Sequence, residues 1–258
     1  MSIKIQNLSF QYNKKSKFVL KDVNLNVQDK SILVLLGLNG CGKTTLLKNI
    51  VGFIKPTKGK IIVENKDIQN VPIMSRSKII AYVPQRLEAL DDVNVLDYLT
   101  FSLCNKLKFY EIPKKSQLRR IYELSKQFNI EHLLEKSLEE TSGGERQIIG
   151  ICAAIIQNTK YILLDEPTSA LDLKNQNNVL STLKKLAIRE KKTIILTSHN
   201  PNHALFLQSN VALIKDNRIN SFGKAKDIIT VEKLKRIYGN KICYSKKLSY
   251  SEISFKDR

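Results

Sequence analysis

The sequence predicts an α/β fold with a mainly parallel core sheet, an antiparallel β subdomain and an inserted helical subdomain. Short apolar runs alternate with segments of helical spacing, a pattern typical of parallel strands joined by helices. Residues 1–30 instead alternate apolar and polar positions, and residues 87–158 show helical periodicity without a convincing strand. These three patterns define the three predicted parts.

The core is predicted from runs in which nearly every residue is apolar. Such runs indicate parallel strands that are covered on both faces, and the segments between them carry helical spacing. The predicted core elements are strands 31–36, 60–64, 79–83, 161–164 and 193–197, a helix over 44–51, and a terminal hairpin of 211–214 with 217–219.

The remaining regions differ from the core in their periodicity. Two alternating segments before residue 30 predict antiparallel strands with one solvated face. Their apolar positions are Ile3, Ile5, Leu8 and Phe10, then Val23, Leu25 and Val27. The helical region contains 95–99 and 118–128, with a loop around Pro113. Residues 1–230 are thus predicted to form one domain, followed by a basic tail, 231–258, that packs as a helix and an extended end.

Composition and length exclude several classes of protein. The 258 residues are 42% hydrophobic and 26% charged, which is ordinary globular composition. No apolar run reaches the ~18 residues of a membrane span, and the first residues lack the pattern of a signal peptide. The four cysteines are far apart and lack metal-ligand spacing. We therefore expect a cytosolic chain with reduced thiols.

The formal net charge of +19 has more than one explanation. It arises from 43 basic and 24 acidic residues that are spread along the chain. Attraction to an anionic membrane surface and a merely lysine-rich, solvated surface explain it equally well. Nucleic acid explains it less well, because the sequence has no RNA-binding aromatic motif and no zinc finger.

Residues 37–44 fit the pattern G-x-x-x-x-G-K-[ST] of a loop that binds the phosphates of a nucleoside triphosphate. Its glycines let several backbone N–H groups point inward, and the following helix attracts anionic phosphate at its N-terminus. Lys43 adds a cation for the outer phosphates, and Thr44 adds a hydroxyl for Mg²⁺. The predicted nucleotide-binding residues here are Gly37, Leu38, Asn39, Gly40, Cys41, Gly42, Lys43, Thr44 and Thr45.

Two acids, Asp165 and Glu166, follow the predicted strand 161–164. An acid at the carboxyl end of a buried parallel strand faces the ligand crevice of such a sheet. Asp165 is placed to hold Mg²⁺ through water, and Glu166 is placed to polarise the attacking water. The simpler alternative is a pair of solvated acids without a function. The presence of a phosphate loop in the same chain makes this alternative the weaker of the two.

Four further motifs occur in a fixed order around these two. Gln85 follows strand 79–83, Thr141-Ser-Gly-Gly-Glu-Arg-Gln147 precedes the acids, Ser169-Ala-Leu-Asp172 follows them, and His199 comes after the next apolar strand. This ordered set resembles the ATP-binding-cassette (ABC) family and spans almost the whole chain. The resemblance implies a P-loop NTPase fold of the ABC ATPase type, with ATP as substrate and Mg²⁺ as cofactor.

The resemblance also implies the roles of individual residues. Tyr12 sits where the family places an aromatic ring that stacks on adenine, with packing against Phe10 or Phe18 as the alternative. The segment 142–145 resembles the family signature, which is expected to bind the γ-phosphate held by the opposite subunit. The implied sets are Glu166, His199 and Gln85 for catalysis, Thr44, Gln85 and Asp165 for the metal, Ser142, Gly143, Gly144 and Glu145 for the signature, and Ser169 and Asp172 for the dimer loop.

The chain departs from the family pattern at three positions. Thr141 replaces the usual leucine of the signature, which affects local packing, and Glu145 replaces the usual glutamine. Cys41 replaces a common serine in the phosphate loop, where a lysine and a helix dipole favour a reactive thiolate.

Partners follow from the same resemblance. One chain carries one phosphate loop and one signature, so two composite sites need a C₂ dimer of two copies. An integral-membrane permease is expected to dock at the segment after Gln85, and an extracellular or periplasmic substrate-binding protein acts indirectly. No nucleic-acid partner is expected, and the chain is placed at the cytoplasmic face of the membrane as a peripheral subunit.

Four stretches resemble the importer branch that takes up iron–siderophore complexes, haem and cobalamin: 36–47, 80–85, 170–176 and 199–204. The expected function is to energise import of such cargo. The alternative is a soluble ABC ATPase that acts on nucleic acid or ribosomes, which the basic charge invites. Translation factors of that kind carry two cassettes in one chain, and this chain has one.

Overall fold

The structure is a computed structural model with two compact units. The first comprises Met1–Val71 with Lys184–Arg258, and the second comprises Pro72–Leu183. The residues that it describes are 2–88, 90–105, 111–239, 242–247 and 250–255. Buried apolar side chains are present in each unit, as both the strand and the helix patterns require.

The first unit opens with five strands and one helix. In chain order these are β1 (Ser2–Phe10), β2 (Leu20–Gln28), β3 (Ile32–Leu36), α1 (Lys43–Val51), β4 (Lys58–Val63) and β5 (Lys66–Asp67), followed by a 3-10 turn at Ile68–Asn70. Most of β2 alternates buried and exposed residues, whereas every residue of β3 is buried. Both observations confirm the periodicity that predicted these strands.

The second unit is mainly helical. It contains α2 (Ile73–Ser77), β6 (Ile80–Val83), α3 (Val95–Phe101), α4 (Lys115–Gln127), α5 (Gly143–Gln157), β7 (Tyr161–Leu164) and most of α6 (Leu173–Arg189), with 3-10 turns at Glu131–Leu133 and Leu138–Glu140. The region predicted to be helical, 87–158, has helices and no strand where it is described. Its positions 89 and 106–110 lie outside the described residues.

The chain then returns to the first unit. The elements are β8 (Thr193–Ser198), α7 (Pro201–Leu207), β9 (Asn210–Lys215), β10 (Arg218–Lys224), α8 (Ala225–Ile228), α9 (Val231–Tyr238), β11 (Ile242–Lys247) and β12 (Tyr250–Phe255). The helix predicted in the basic tail is α9. The end predicted as extended is an antiparallel hairpin of β11 and β12, a pairing that a single run of residues does not reveal.

The strands of the first unit form two larger sheets. One is antiparallel in the order β2-β1-β4-β5, and the other places β3 between β8 and β9, parallel to both, with β10 antiparallel to β9. Strand β4, predicted as part of the core alternation, thus belongs to the antiparallel sheet. Its first three residues are exposed, which a core strand would not tolerate. In the second unit, β6 pairs with β7 in parallel.

Neither a membrane span nor a disulfide appears in the described part of the chain. None of its helices combines the length and apolarity that a membrane crossing requires. Among the described cysteine side chains, those of Cys41, Cys104 and Cys152 form no disulfide, as the wide spacing of the cysteines predicted.

Candidate active site

The phosphate loop connects the carboxyl end of β3 to the start of α1. Gly40 and Gly42 have φ angles of 78° and 102°, in the left-handed region that favours glycine. A Cβ atom on Gly42 would lie 2.8 Å from the carbonyl oxygen of Val19, whereas one on Gly40 would meet none of the described residues within 4 Å. Gly40 is therefore explained by its backbone conformation. Gly42 is explained by its backbone conformation and by the close approach of the neighbouring chain segment.

This difference predicts unequal costs for the two substitutions to alanine. We expect Gly40→Ala to lower the free energy of unfolding by about 1 kcal/mol, the cost of a left-handed alanine. Gly42→Ala adds a backbone clash and should cost clearly more. Urea unfolding of both variants measures the difference, and equal costs would show that the Val19 contact is of no consequence.

The lysine of the loop is held at the loop itself. Lys43 is 5% exposed, and its Nζ atom donates hydrogen bonds to the carbonyl oxygens of Gly37 and Leu38 at 2.9 and 3.0 Å. A buried ammonium group beside inward-curled backbone suits the outer phosphates of a nucleotide. Thr44, half-buried in the first turn of α1, contributes a hydroxyl of the oxygen type that Mg²⁺ prefers.

Tyr12 lies just beyond β1 and is 60% exposed. Its ring meets Phe10 edge-on, with centroids 4.9 Å apart and an interplanar angle of 86°. Its hydroxyl lies 3.2 Å from Oγ1 of Thr45, a residue of α1. Packing on Phe10 and exposure of the ring therefore coexist, and the hydroxyl contact ties the ring to the helix that follows the phosphate loop.

His199 is exposed at the end of β8, and the residues around it form a polar network. Ser198 Oγ lies 3.0 Å from Nδ1 of His203 and accepts a hydrogen bond from the Asn200 amide at 3.0 Å. The Asn200 side chain lies 3.4 Å from Nε2 of the same ring and also caps α7. Burial, aided by the neighbouring charge of His199, lowers the pKa of His203 to about 4. His203 therefore stays neutral and fixes the turn that carries His199.

The lowered pKa of His203 predicts a dependence of stability on pH. The unfolded chain protonates this ring near pH 6.5 and the folded chain only near pH 4, so stability is full above 6.5 and falls as the pH drops towards 4. Between pH 7 and pH 5 the wild type should lose about 2 kcal/mol more unfolding free energy than His203→Gln. Urea unfolding at both pH values tests this, and equal losses would contradict it.

In the second unit, Gln85 and Glu166 meet directly. Gln85 Nε2 donates to Glu166 Oε2 at 2.8 Å, although the two residues are 81 positions apart. Glu166 has a φ angle of 46°, which is uncommon for a residue with a side chain. Such strain concentrates at functional sites, where the surrounding structure holds it. Here it aims the carboxylate towards the predicted glutamine.

Asp165 directly precedes Glu166 in the chain. It is 1% exposed and follows the end of β7. Its amide donates to the carbonyl oxygen of Val83 at 2.9 Å, which extends the pairing of β6 with β7. Burial, and then the charge of Asp165, raise the pKa of the nearby Tyr82. The carboxylate is thus a buried oxygen donor of the kind that Mg²⁺ takes, directly or through water.

The signature forms the N-terminus of α5 through reciprocal capping. Ser142 Oγ accepts from the Glu145 amide at 3.3 Å, and Glu145 Oε2 accepts from the Ser142 amide at 2.7 Å. Hydrogen bonding to the carboxylate from the backbone amide of Ser142, and then from its side chain, lowers the pKa of Glu145. Glutamate in place of the usual glutamine therefore completes a capping box, in which its charge also suits the helix dipole.

Thr141, the other departure in the signature, is fully accommodated. It is buried, and its hydroxyl donates to the carbonyl oxygen of Leu138 at 2.6 Å. Arg146, one turn into α5, donates from Nη1 to the carbonyl oxygens of both residues. The threonine thus closes a local hydrogen-bonded turn.

The two glycines of the signature serve different purposes. A Cβ atom on Gly144 would lie 2.9 Å from the carbonyl oxygen of Ala170 in the dimer loop. A Cβ atom on Gly143 would meet nothing within 4 Å among the described residues, and no left-handed angle requires a glycine there. The fold of this chain therefore explains Gly144 and leaves Gly143 open to an external molecule.

The dimer loop is tied to the acids and to α6. Ser169 Oγ donates to the carbonyl oxygen of Glu166 at 3.0 Å. Asp172 Oδ1 accepts from the Asn175 amide at 2.7 Å, which caps the first turn of α6. The loop thus connects the strained glutamate to the start of a helix.

Comparison with known proteins identifies the family. The model of the ABC transporter family matches residues 20–169, which is more than half of the chain. That range holds the phosphate loop, Gln85, the signature and both acids. The chain belongs to the ABC transporter family.

Relatives of this ABC transporter ATPase are named for the transport of different cargoes. An uncharacterized ABC transporter ATP-binding protein of Haemophilus influenzae is 34% identical, over 92% of this chain and 89% of the relative. A protein of Helicobacter pylori named "Probable iron chelatin transport ATP-binding protein" is 32% identical, over 85% and 86%. The molybdate import protein MolC of Haemophilus influenzae is 33% identical, over 92% and 88%.

Solved structures agree with this ABC ATPase fold. A protein assigned to the metal-chelate type ABC transporters, in an inward-facing conformation, has a TM-score of 0.82 at 30% identity, covering 100% of this chain and 98% of that one. A dimeric ATP-binding cassette in a post-hydrolysis state with ADP and phosphate has a TM-score of 0.79 at 26% identity, covering 86% and 98%. The chain is an ATPase coupled to transport, and it uses ATP with Mg²⁺.

Two contributors of this ABC ATPase were missed by sequence reasoning. The sequence predicted no role of its own for His203, which lies in the family-like stretch 199–204. It predicted none for Arg146 either, which lies in the signature motif. Both act by holding a functional turn through hydrogen bonds. Their common signal is a polar residue on the buried face of a helix, which indicates a satisfied partner nearby.

Proposed function

We propose that this chain is the nucleotide-binding subunit of an importer that takes up iron–siderophore, haem or cobalamin-type cargo through a partner permease. The observation that carries the proposal is the end-to-end likeness to a metal-chelate type transporter, which extends through the C-terminal segment. The iron chelatin relative supports it. Relatives that import molybdate or spermidine/putrescine make the cargo the part to be tested.

Nucleotide is proposed to bind between two copies of the chain. Tyr12 stacks on adenine, and the phosphate loop with Lys43 holds the phosphates of one copy. The signature of the second copy then contacts the γ-phosphate through Ser142 and the N-terminus of α5. The open space at Gly143 supports this arrangement, because a Cβ atom there would lie more than 4 Å from every described residue that could crowd it. Dimeric cassettes among the structural neighbours support the same state.

Hydrolysis is proposed to depend on Glu166 as the base. Its carboxylate polarises water for attack on the γ-phosphate, while Gln85, hydrogen-bonded to it, senses or positions that water. His199 is proposed to contact the γ-phosphate from its exposed position after β8. Thr44, Gln85 and Asp165 are the proposed protein donors for Mg²⁺, which when bound would supply positive charge that stabilises the phosphates during hydrolysis.

The permease is proposed to dock on the second unit near the segment after Gln85. Exposed apolar side chains are present there, on α2, on the described part of the following loop and at the end of α3: Ile73, Met74, Leu90 and Phe101. Asn105 Nδ2 donates to the carbonyl oxygen of Ser77 at 3.0 Å, so the end of α2 is tied to the turn after α3. Such a fixed apolar patch suits a protein partner.

This docking would place the chain at the cytoplasmic face of the membrane as a peripheral subunit. A substrate-binding protein on the far side of the permease would act on it only indirectly. The domain boundaries proposed from the sequence, 1–230 for the ATPase domain and 231–258 for the tail, are compatible with a single cassette per subunit.

The proposal is tested by reconstituting the chain with its co-purified permease in proteoliposomes. Internalised cargo and ATP hydrolysis would be measured with ferric siderophore, haem, cobalamin, molybdate and spermidine in turn. We expect ATP-dependent uptake of one of the first three. Uptake of molybdate or spermidine alone would refute the cargo class while retaining the importer.

The net charge of +19 favours a second candidate, a soluble ABC ATPase that acts on nucleic acid or ribosomes. ATP hydrolysis by the isolated chain would then rise on addition of RNA, DNA or ribosomes. An unchanged rate, with uptake in proteoliposomes, would eliminate this candidate.

A further inference from the structure

A basic cleft in the first unit is lined by none of the residues assigned to nucleotide binding. Its volume is about 910 Å³, and it opens where β3 and β9 begin, at Ile32 and Asn210. The phosphate loop follows the other end of β3, about 13 Å away along the strand. Among the described residues that line the cleft, five are lysines and none is acidic: Lys30, Lys184, Lys191, Lys224 and Lys226.

The lysines of the cleft lack acidic partners among the described residues. The ion pairs found in that part of the chain all belong to other residues. Lys184 is anchored, because its Nζ atom donates to the carbonyl oxygen of Phe206 at 3.0 Å and lies 5.5 Å from the centre of that ring. Like charges around one concavity raise a positive potential that an anion would relieve.

Ordered backbone presents two of these lysines. Lys30 and Lys191 occupy turns with φ angles of 56° and 55°. The Lys30 amide donates to Oγ1 of Thr193 at 2.9 Å, and the Lys192 amide donates to the carbonyl oxygen of Leu186 at 3.2 Å. Backbone hydrogen bonds thus fix the turns from which both lysine side chains extend.

The wall of the cleft is apolar. Ala187 and Leu207 contribute buried surface, and Ile188 of α6 remains 67% exposed beside the lysines. An exposed isoleucine next to several lysines suits a ligand that has both a charged and an apolar part. A plain inorganic anion would use only the lysines.

We propose that this cleft binds a phosphate-bearing molecule with an apolar portion. The same chemistry has two sources, an anionic phospholipid of the membrane or a free aromatic phosphate. The lysines pair with the phosphate, and the α6 side of the cleft covers the apolar part. Such a site would explain part of the net positive charge of the chain. It concentrates lysines away from the residues assigned to catalysis.

The test compares two triple variants of equal net charge. Lys30→Gln/Lys191→Gln/Lys226→Gln alters the cleft, and Lys66→Gln/Lys115→Gln/Lys126→Gln alters exposed lysines elsewhere. Sedimentation with phosphatidylcholine vesicles, with and without phosphatidylglycerol, probes the lipid source. Fluorescence anisotropy of flavin mononucleotide, in a Lys43→Ala background that disables the phosphate loop, probes the free source. ATP hydrolysis and melting temperature confirm that each triple variant is folded.

We expect the cleft variant to bind one probe roughly tenfold to a hundredfold more weakly than wild type, with the control variant unchanged. Loss with phosphatidylglycerol vesicles identifies the lipid source, and loss with flavin mononucleotide identifies a free phosphate. Equal loss in both variants would reduce the effect to overall charge and overturn the proposal. No binding of either probe by the wild type, or binding of an RNA oligonucleotide alone, would also overturn it.

Discussion

Glu166→Gln is expected to lower ATP hydrolysis roughly a hundredfold or more, because loss of a positioned general base typically costs 10²–10⁴ in rate. The amide keeps the size of the side chain and retains an oxygen that can accept the hydrogen bond from Gln85. ATP binding should therefore persist. Phosphate release with Mg²⁺–ATP measures the first effect, and binding of a fluorescent ATP analogue measures the second.

A matched acid-to-amide change separates chemistry from charge. Glu135→Gln removes one carboxylate at an exposed position of the same unit and should hydrolyse ATP as wild type does. The Glu166→Gln chain should also accumulate as an ATP-bound dimer in size-exclusion chromatography, because the step that separates the copies is blocked. Hydrolysis at the wild-type rate by Glu166→Gln would remove this residue from the role of base.

The sequence could predict the features that depend on neighbours along the chain. The apolar runs predicted β3, β7 and β8 because a strand buried on both faces needs apolar residues throughout. The phosphate loop could be predicted because its glycines, lysine and hydroxyl are contiguous. The assignment of β4 to the core was wrong because β4 pairs with β1, which lies about fifty residues earlier in the chain. Local periodicity does not reveal such a distant pairing.

The remaining features depend on contacts between distant segments. The hydrogen bond between Gln85 and Glu166 joins residues that follow two different strands, and no local pattern encodes it or the strained φ angle of Glu166. The lowered pKa of His203 arises from burial, which only the packed structure reveals. The unequal needs of Gly143 and Gly144 are likewise invisible in the sequence, where the two glycines look alike.

Gly143→Asp is expected to abolish ATP-dependent dimerisation without destabilising the chain. The Cβ atom of the new side chain meets none of the described residues within 4 Å, and its carboxylate adds a favourable charge to the first turn of α5. In the proposed dimer the same carboxylate would face the γ-phosphate of the other copy, and two anions in a desolvated site repel strongly. Made in the Glu166→Gln background, the variant should remain monomeric with ATP in size-exclusion chromatography.

Two controls isolate this effect. Ser116→Asp adds a carboxylate to the first turn of α4, also exposed, and should leave the ATP-bound dimer intact. Gly144→Ala should instead lower stability, because its Cβ atom would press on the carbonyl oxygen of Ala170. A Gly143→Asp chain that dimerises with ATP as well as its parent would show that the signature does not face the nucleotide of a second copy.

The composite nature of the site permits a sharper experiment with two defective chains. Lys43→Ala disables the phosphate loop and Gly143→Asp disables the signature, so neither chain, in the Glu166→Gln background, should associate with itself in ATP. A mixed pair still contains one intact loop opposite one intact signature. Energy transfer between donor-labelled and acceptor-labelled variants should therefore appear on mixing with ATP. If loop and signature of the same copy formed the site, no mixture could restore it, because each chain would carry its own defect into every pair.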